Sequence, residues 1–230
     1  MSRAKAVIFD MDGLMLDTQR MATVAWRQAV STFGFQLTDK IILKLLGRNN
    51  EDSNEILKNE FGSEFPFEDC RILARKTYAD DMTKNGIPVK AGLLPLLEYL
   101  EKKSIKVAVA TSTAREFAVQ RLEQTNLIGH FPVIVTGDEV TRGKPFPDIF
   151  LNTSELLQIP AKNCVVLEDS FSGIQAAFSA KMIPIMVPDL FEPTHEIESL
   201  AYAVVPSLNE AKKEIEKLMA EKGHHPLSRL

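Results

Sequence analysis

The sequence predicts an α/β protein: a doubly wound parallel sheet with helices on both faces and an α-helical domain inserted after the first strand. Three observations predict it. Five short apolar runs read as buried strands, amphipathic stretches alternate with them, and one long segment keeps a helical period with no strand inside it. The chain has 230 residues, 45% apolar and 25% charged, which is ordinary globular composition and enough length for a packed core.

The first run is AVIF (6–9). The others are IKVAVA (105–110), PVIV (132–135), CVVL (164–167) and IPIMV (183–187), each β-branched and bounded by Asp, Thr, Gly or Pro. After the first run the rhythm changes. Ala22, Ala25, Trp26, Ala29, Val30 and Phe33 trace one helical stripe, which Gly34 can end. Ile41, Ile42, Leu45 and Leu46 mark a second helix closing at Gly47, Ile56 and Leu57 belong to a third, and Phe67 to Met82 supports a fourth. Asp17 reads as a turn or capping residue before this insertion, and Trp26 as part of its core. Beyond it, Leu93, Leu96, Leu97 and Leu100 share a helical face, as do Ile174, Ala177 and Phe178; Leu208, Ala211, Ile215 and Leu218 mark a closing helix. The expected organisation is a core of residues 1–17 and 90–230 with an inserted domain at 18–89.

Bulk properties exclude several classes. A net charge of −4 argues against a broad basic face, so no nucleic-acid partner is expected. The apolar run near the N-terminus is too short for a signal core or a membrane span, so no membrane partner and a cytoplasmic location are expected. A monomer is the default. Cys70 and Cys164 are the two cysteines and are expected to stay reduced. Histidines 130, 195, 224 and 225 show no metal-ligand spacing with cysteine, and the polar tail GHHPLSRL reads as disordered.

Ligands of open α/β sheets bind beyond the carboxyl ends of the strands. The chemistry therefore lies in the residues just past each run: Asp10-Met-Asp12-Gly13, Thr111-Ser112-Thr113, Gly143-Lys144-Pro145 and Glu168-Asp169-Ser170. Carboxylates gathered at one edge repel, at about 4 kcal/mol for two charges 4 Å apart in an effective dielectric of 20. Such a cluster persists by raising a pKa or holding a cation, and oxygen ligands without His or Cys point to Mg²⁺. A calcium loop starting at Asp10 would want Gly where Met15 stands.

The segments FDMDGLMLDT (9–18), VAVATST (107–113), GKPFPDIF (143–150) and VLEDSFSGIQAA (166–177) resemble, in order and over nearly the whole core, the haloacid dehalogenase superfamily. The resemblance is to its branch with a helical cap after the first strand. It implies an Mg²⁺-dependent phosphatase acting on a small phosphorylated metabolite, a sugar or nucleotide phosphate, through an aspartyl phosphate. By the same resemblance Asp10 is the nucleophile and Asp12 the general acid and base. Thr111 and Ser112 bind the phosphoryl group, and Lys144 steadies Asp10 and neutralises charge. Asp10, Asp169, Glu168 and the Asp12 carbonyl form the metal site. Arg48, in a loop between two cap helices, is the expected substrate contact from the cap. The related β-phosphoglucomutases offer an alternative, but their cap histidine matches Ala22, and their second-phosphate Lys and Arg match Ala114 and Asn50, with Arg115 adjacent. A catalytically silent module would be expected to lose Asp10, Asp12 or Lys144, and all three are present.

Overall fold

Alternation along the first strand sets the two faces of the sheet. Val7 and Phe9 point into one buried cluster, Ala6 and Ile8 into another. The structure is a computed structural model that describes residues 4–220. The tail GHHPLSRL, with the expectation made for it, lies outside the described residues.

In chain order the elements begin with β1 (Ala6–Phe9), α1 (Thr18–Thr32), α2 (Asp39–Leu45), α3 (Asn50–Phe61), α4 (Phe67–Asn85) and α5 (Leu93–Lys102). Then come β2 (Lys106–Thr111), α6 (Arg115–Gln124), β3 (Val133–Thr136), α7 (Asp148–Leu157), β4 (Cys164–Glu168) and α8 (Phe171–Ser179). The chain closes with β5 (Ile183–Met186), α9 (His195–Leu200), β6 (Ala203–Val204) and α10 (Leu208–Ala220). The six strands are parallel, in the order β3-β2-β1-β4-β5-β6. Strand order reverses beside β1, which places the switch point, and the residues following β1, β2 and β4, at the centre of the carboxyl edge.

Helices cover both faces. Leu93, Leu96, Leu97 and Leu100 of α5, Ala118 and Leu122 of α6, and Leu208, Ala211, Ile215 and Leu218 of α10 pack on the Val7 and Phe9 side. Ile149, Phe150 and Leu157 of α7 and Ala176 and Ala177 of α8 cover the other. The helices α1 to α4 bury a separate cluster that includes Ala25, Ala29, Val30, Ile41, Ile42, Leu57, Phe67, Cys70 and Ala74. Trp26 packs against it, its ring 5.7 Å from that of Phe67.

Two connections tie this helical insertion to the sheet and run side by side. Asp17 N donates to Pro88 O at 2.9 Å and Lys90 N to Met15 O at 2.8 Å. Asp17 occupies the N-cap position of α1 without capping it through its side chain; its carboxylate instead accepts from Lys90 Nζ at 3.0 Å. Asp17 thus stands in the turn before α1, as expected, with its side chain paired to Lys90 rather than to a helix amide.

Several boundaries shift. The strand expected at 105–110 is 106–111, so Thr111 ends the strand, and the one expected at 132–135 is 133–136. The fourth helix runs to Asn85. The two-residue strand β6 adds an edge strand that no apolar run announced. Cys70 and Cys164 are both free and buried.

Candidate active site

Asp10 follows β1 directly, and its amide donates to Leu167 O of the neighbouring β4 at 3.0 Å. That bond extends the sheet register one residue beyond the strand and sets Asp10 beside Glu168 and Asp169. Oxygens of these three carboxylates lie within 4.8 Å of one another, and all three residues are buried. Lys144 reaches the same point from the loop after β3. It is fully buried, and its Nζ donates to Asp10 Oδ1 at 2.5 Å, Glu168 Oε1 at 2.6 Å and Ala110 O at 3.3 Å. The second oxygen of Glu168 accepts from the Ser170 amide at 2.7 Å and the Ser170 hydroxyl at 2.9 Å. Thus Glu168 is engaged at both oxygens by protein donors.

One ammonium does not neutralise three carboxylates. Burial pushes the Asp10 pKa up to about 8, with Glu168 and Asp12 adding to the shift and Lys144 opposing it. Burial also raises Asp169 well above the carboxylate range, with Glu168 and Asp10 reinforcing it. Burial works against the Lys144 ammonium, yet Asp10 and Glu168 outweigh it and raise its pKa. Asp169 Oδ1 is buried without a hydrogen-bond partner. A buried orphaned carboxylate oxygen beside two more carboxylates, with no nitrogen or sulfur ligand in the group, fits a hard cation. Gly13 keeps this spot open. Its φ is +92°, and a Cβ there would lie 2.2 Å from Asp169 Oδ2.

Asp12 is placed differently from the other acids. Its side chain stands outside the three-carboxylate group, with Oδ1 accepting from Thr18 Oγ1 and Arg121 NH1, both at 2.6 Å, and Oδ2 from Thr113 Oγ1 at 2.7 Å. Its main-chain carbonyl, the atom expected at the metal, accepts from Gln19 Nε2 at 3.2 Å. Thr111 is buried, and its hydroxyl accepts from the Thr113 amide at 3.2 Å, leaving its proton to donate elsewhere. Two of Asp12's neighbours, Thr18 and Arg121, were given no role from sequence, and Thr113 was named only as part of the segment after β2. Thr113 was within reach, two residues past Thr111. Arg121 was not, since an arginine within a polar helix ordinarily faces solvent.

The loop between α2 and α3 is seated on this edge. Ser112 Oγ donates to Gly47 O at 2.6 Å, Ser172 Oγ to Leu46 O at 2.9 Å, and Arg48 NH1 to Lys144 O at 3.1 Å. Ser112 therefore spends its hydroxyl on the loop. Arg48 keeps a buried Nε with no partner, and burial lowers its pKa. Between insertion and sheet edge lies a cavity of about 440 Å³, lined among others by Asp10, Asp12, Thr111, Arg48, Trp26 and Arg121. Ala22, Asn50 and Ala114 also line it. Arg115 does not. Its guanidinium turns to Glu139 at 3.0 Å and Ile134 O at 3.1 Å.

Fold and site together define an α/β enzyme with a buried acidic centre beneath a helical insertion. The chain belongs to the haloacid dehalogenase-like hydrolases, whose family model matches residues 7–187. A "Phosphorylated carbohydrates phosphatase" of Thermotoga maritima is 32% identical to it, the match covering 92% of this chain and 90% of the relative. A Drosophila melanogaster relative named "Probable pseudouridine-5'-phosphatase" is 31% identical, over 90% of this chain and 91% of its own. Among solved structures, the β-phosphoglucomutase of Clostridium difficile superposes with a TM-score of 0.79 at 26% identity, covering 94% of this chain and 97% of its own. Among the described residues, no helix is long and apolar enough to cross a membrane.

Proposed function

We propose that the protein is an Mg²⁺-dependent phosphatase that hydrolyses a small phosphate monoester, a sugar or nucleotide phosphate, through an aspartyl phosphate on Asp10. The observation that carries this reading is the convergence of Asp10, Glu168, Asp169 and Lys144 at one buried point bordering the cavity. A phosphatase named for phosphorylated carbohydrates, among the relatives, supports the substrate class.

In this reading Lys144 holds Asp10 Oδ1 and leaves Oδ2 without a donor among the described residues, so that the carboxylate can strike phosphorus. Lys144 also offsets charge as the anionic phosphoryl approaches. The Thr111 hydroxyl donates to a phosphoryl oxygen. Asp12 gives a proton to the leaving oxygen and then takes one from the attacking water, for which it must exchange at least one of its present donors. Asp10, Asp169 and the Asp12 carbonyl, with Glu168 directly or through water, would hold Mg²⁺, which would supply charge neutralisation for the phosphoryl group. Residues 18–89 serve as a cap that excludes water, with Arg48 at the substrate and Ser112 fastening Gly47 over the site.

The mutase reading is weaker. Ala22 brings no acid–base group to the cavity, Ala114 brings no charge, and Arg115 is committed to Glu139. The deciding experiment measures phosphate release from a panel of phosphorylated sugars, nucleotides and short acids, with and without Mg²⁺. Metal-dependent release from at least one class is expected. Absence of release across the panel contradicts the reading, and conversion of glucose 1-phosphate to the 6-phosphate with a bisphosphate primer favours the mutase.

A further inference from the structure

Two helices face each other across the part of the cavity contributed by the cap and the core. Arg71, Arg75, Tyr78 and Met82 of α4 line it at the spacing of one helical face, and so do Phe117, Gln120, Arg121 and Gln124 of α6. The arginines stack reciprocally. The Arg75 guanidinium carbon lies 4.4 Å from the Phe117 ring centre, and that of Arg121 lies 5.1 Å from the Tyr78 ring centre.

Each cation differs in its commitments. Arg121 is ion-paired to Asp12 and Arg71 to Glu68, a surface carboxylate. Arg75 makes no hydrogen bond and no ion pair among the described residues. A guanidinium stacked by its face leaves its N–H edge free, and that fork fits a planar or tetrahedral oxyanion. Partial burial lowers the Arg75 pKa, with Arg71 and Arg121 lowering it further and Glu116 and Glu68 opposing them, and three arginines gather at this end of the cavity. In the phosphatase reading the scissile group is held elsewhere, by Asp10 and Thr111, which line the same cavity, with Lys144 bonded to Asp10.

We propose that Arg75, flanked by Arg71 and Arg121, forms an anion subsite, and that the leaving group of the substrate carries a second anionic group, a carboxylate or a phosphate, away from the scissile ester. This rests on the phosphatase reading for its scissile group and deepens it to a substrate class: monoesters bearing a remote anion. A cavity of about 440 Å³ has room for such a molecule.

The test uses binding, so that it does not depend on turnover. The full chain carrying Asp10→Asn, with Mg²⁺, is titrated calorimetrically with two matched pairs: glycerol 3-phosphate against 3-phosphoglycerate, and glucose 1-phosphate against glucose 1,6-bisphosphate. In at least one pair the member with the second anion is expected to bind about tenfold more tightly or better. Adding Arg75→Gln, at an exposed position, is expected to bring that preference to within about threefold. Preference in the first pair assigns a carboxylate, and in the second a phosphate. Equal affinities within both pairs, absence of binding by all four compounds, or a preference that survives Arg75→Gln would overturn the subsite. Phosphate release by the unaltered protein tests the hydrolase reading separately.

Discussion

Arg121 donates to Asp12 Oδ1 at 2.6 Å across a sequence separation of 109 residues, and both side chains are only 17% exposed. The pair joins a helix of the core to the residue two positions past the proposed nucleophile. Thr18, the first residue of α1, donates to the same oxygen. Asp12 therefore links the sheet edge, α6 and the base of the helical insertion in one network.

That network predicts a measurable coupling. Arg121→Ala leaves a largely buried carboxylate without its cation, and the double-mutant cycle with Asp12→Ala should give about 1–3 kcal/mol of interaction in urea unfolding. A coupling indistinguishable from zero would mean the ion pair contributes nothing to the fold.

Asp10 sets the pH behaviour of the metal-free protein. An ordinary Asp titrates at 3.8, and burial pushes Asp10 up to about 8. The folded state thus binds this proton more tightly than the unfolded state, so stability falls as pH rises between those two values and levels off above the upper one. Asn at this position cannot ionise. In chelator-treated samples the melting temperature of the parent should therefore drop relative to Asp10→Asn as pH climbs through that window. Mg²⁺ should stabilise the parent more at the alkaline end than at the acid end. A pH-independent difference between the two proteins would contradict the buried, proton-binding environment described for Asp10.

Asp169→Ala removes the orphaned Oδ1 from the acidic group. The Mg²⁺ concentration for half-maximal phosphate release should rise by about tenfold or more. An unchanged Mg²⁺ titration would strike Asp169 from the ligands.

Gly47 tests the seating of the α2–α3 loop. Its φ is +72°, and an added Cβ would fall 2.3 Å from Ser170 Oγ and 2.5 Å from Ser172 Oγ. Gly34 is a matched control, at φ +82° with nothing within 4 Å. Both alanine variants should lose about 1–2 kcal/mol through the left-handed backbone, while Gly47→Ala alone should also lose phosphate-release activity. Equal activities in the two variants would show that the close contact at Gly47 is dispensable.

The residues after β1, β2 and β4 were legible because a parallel sheet places its strand ends at one edge whatever the details of the helices. Each such strand is a run apolar on both faces, and the acid or hydroxyl that ends it stands out. Lys144 was legible from its place past the third run and from its motif, whereas its burial depends on Asp10 and Glu168 arriving from two other segments. Strand β6 was not, because Ala203–Val204 is too short to show a period and pairs only with β5. Arg75 and Arg121 were hidden for another reason. On their own helices both occupy polar positions, and only the packing of α4 opposite α6 turns those positions inward on the cavity. Ser112 resembles a substrate contact from its place after Thr111, whereas its hydroxyl meets Gly47, a partner defined by how the insertion folds back.

The central claim is that the Asp10 carboxylate becomes covalently phosphorylated. The most direct measurement is borohydride trapping during turnover, which reduces an acyl phosphate to the alcohol, followed by peptide mass spectrometry. The account predicts substrate-dependent conversion of residue 10 to homoserine and none at Asp12, Glu168 or Asp169. Steady phosphate release with residue 10 still recovered as unmodified aspartate, or with the trapped carbon on another acid, would contradict it.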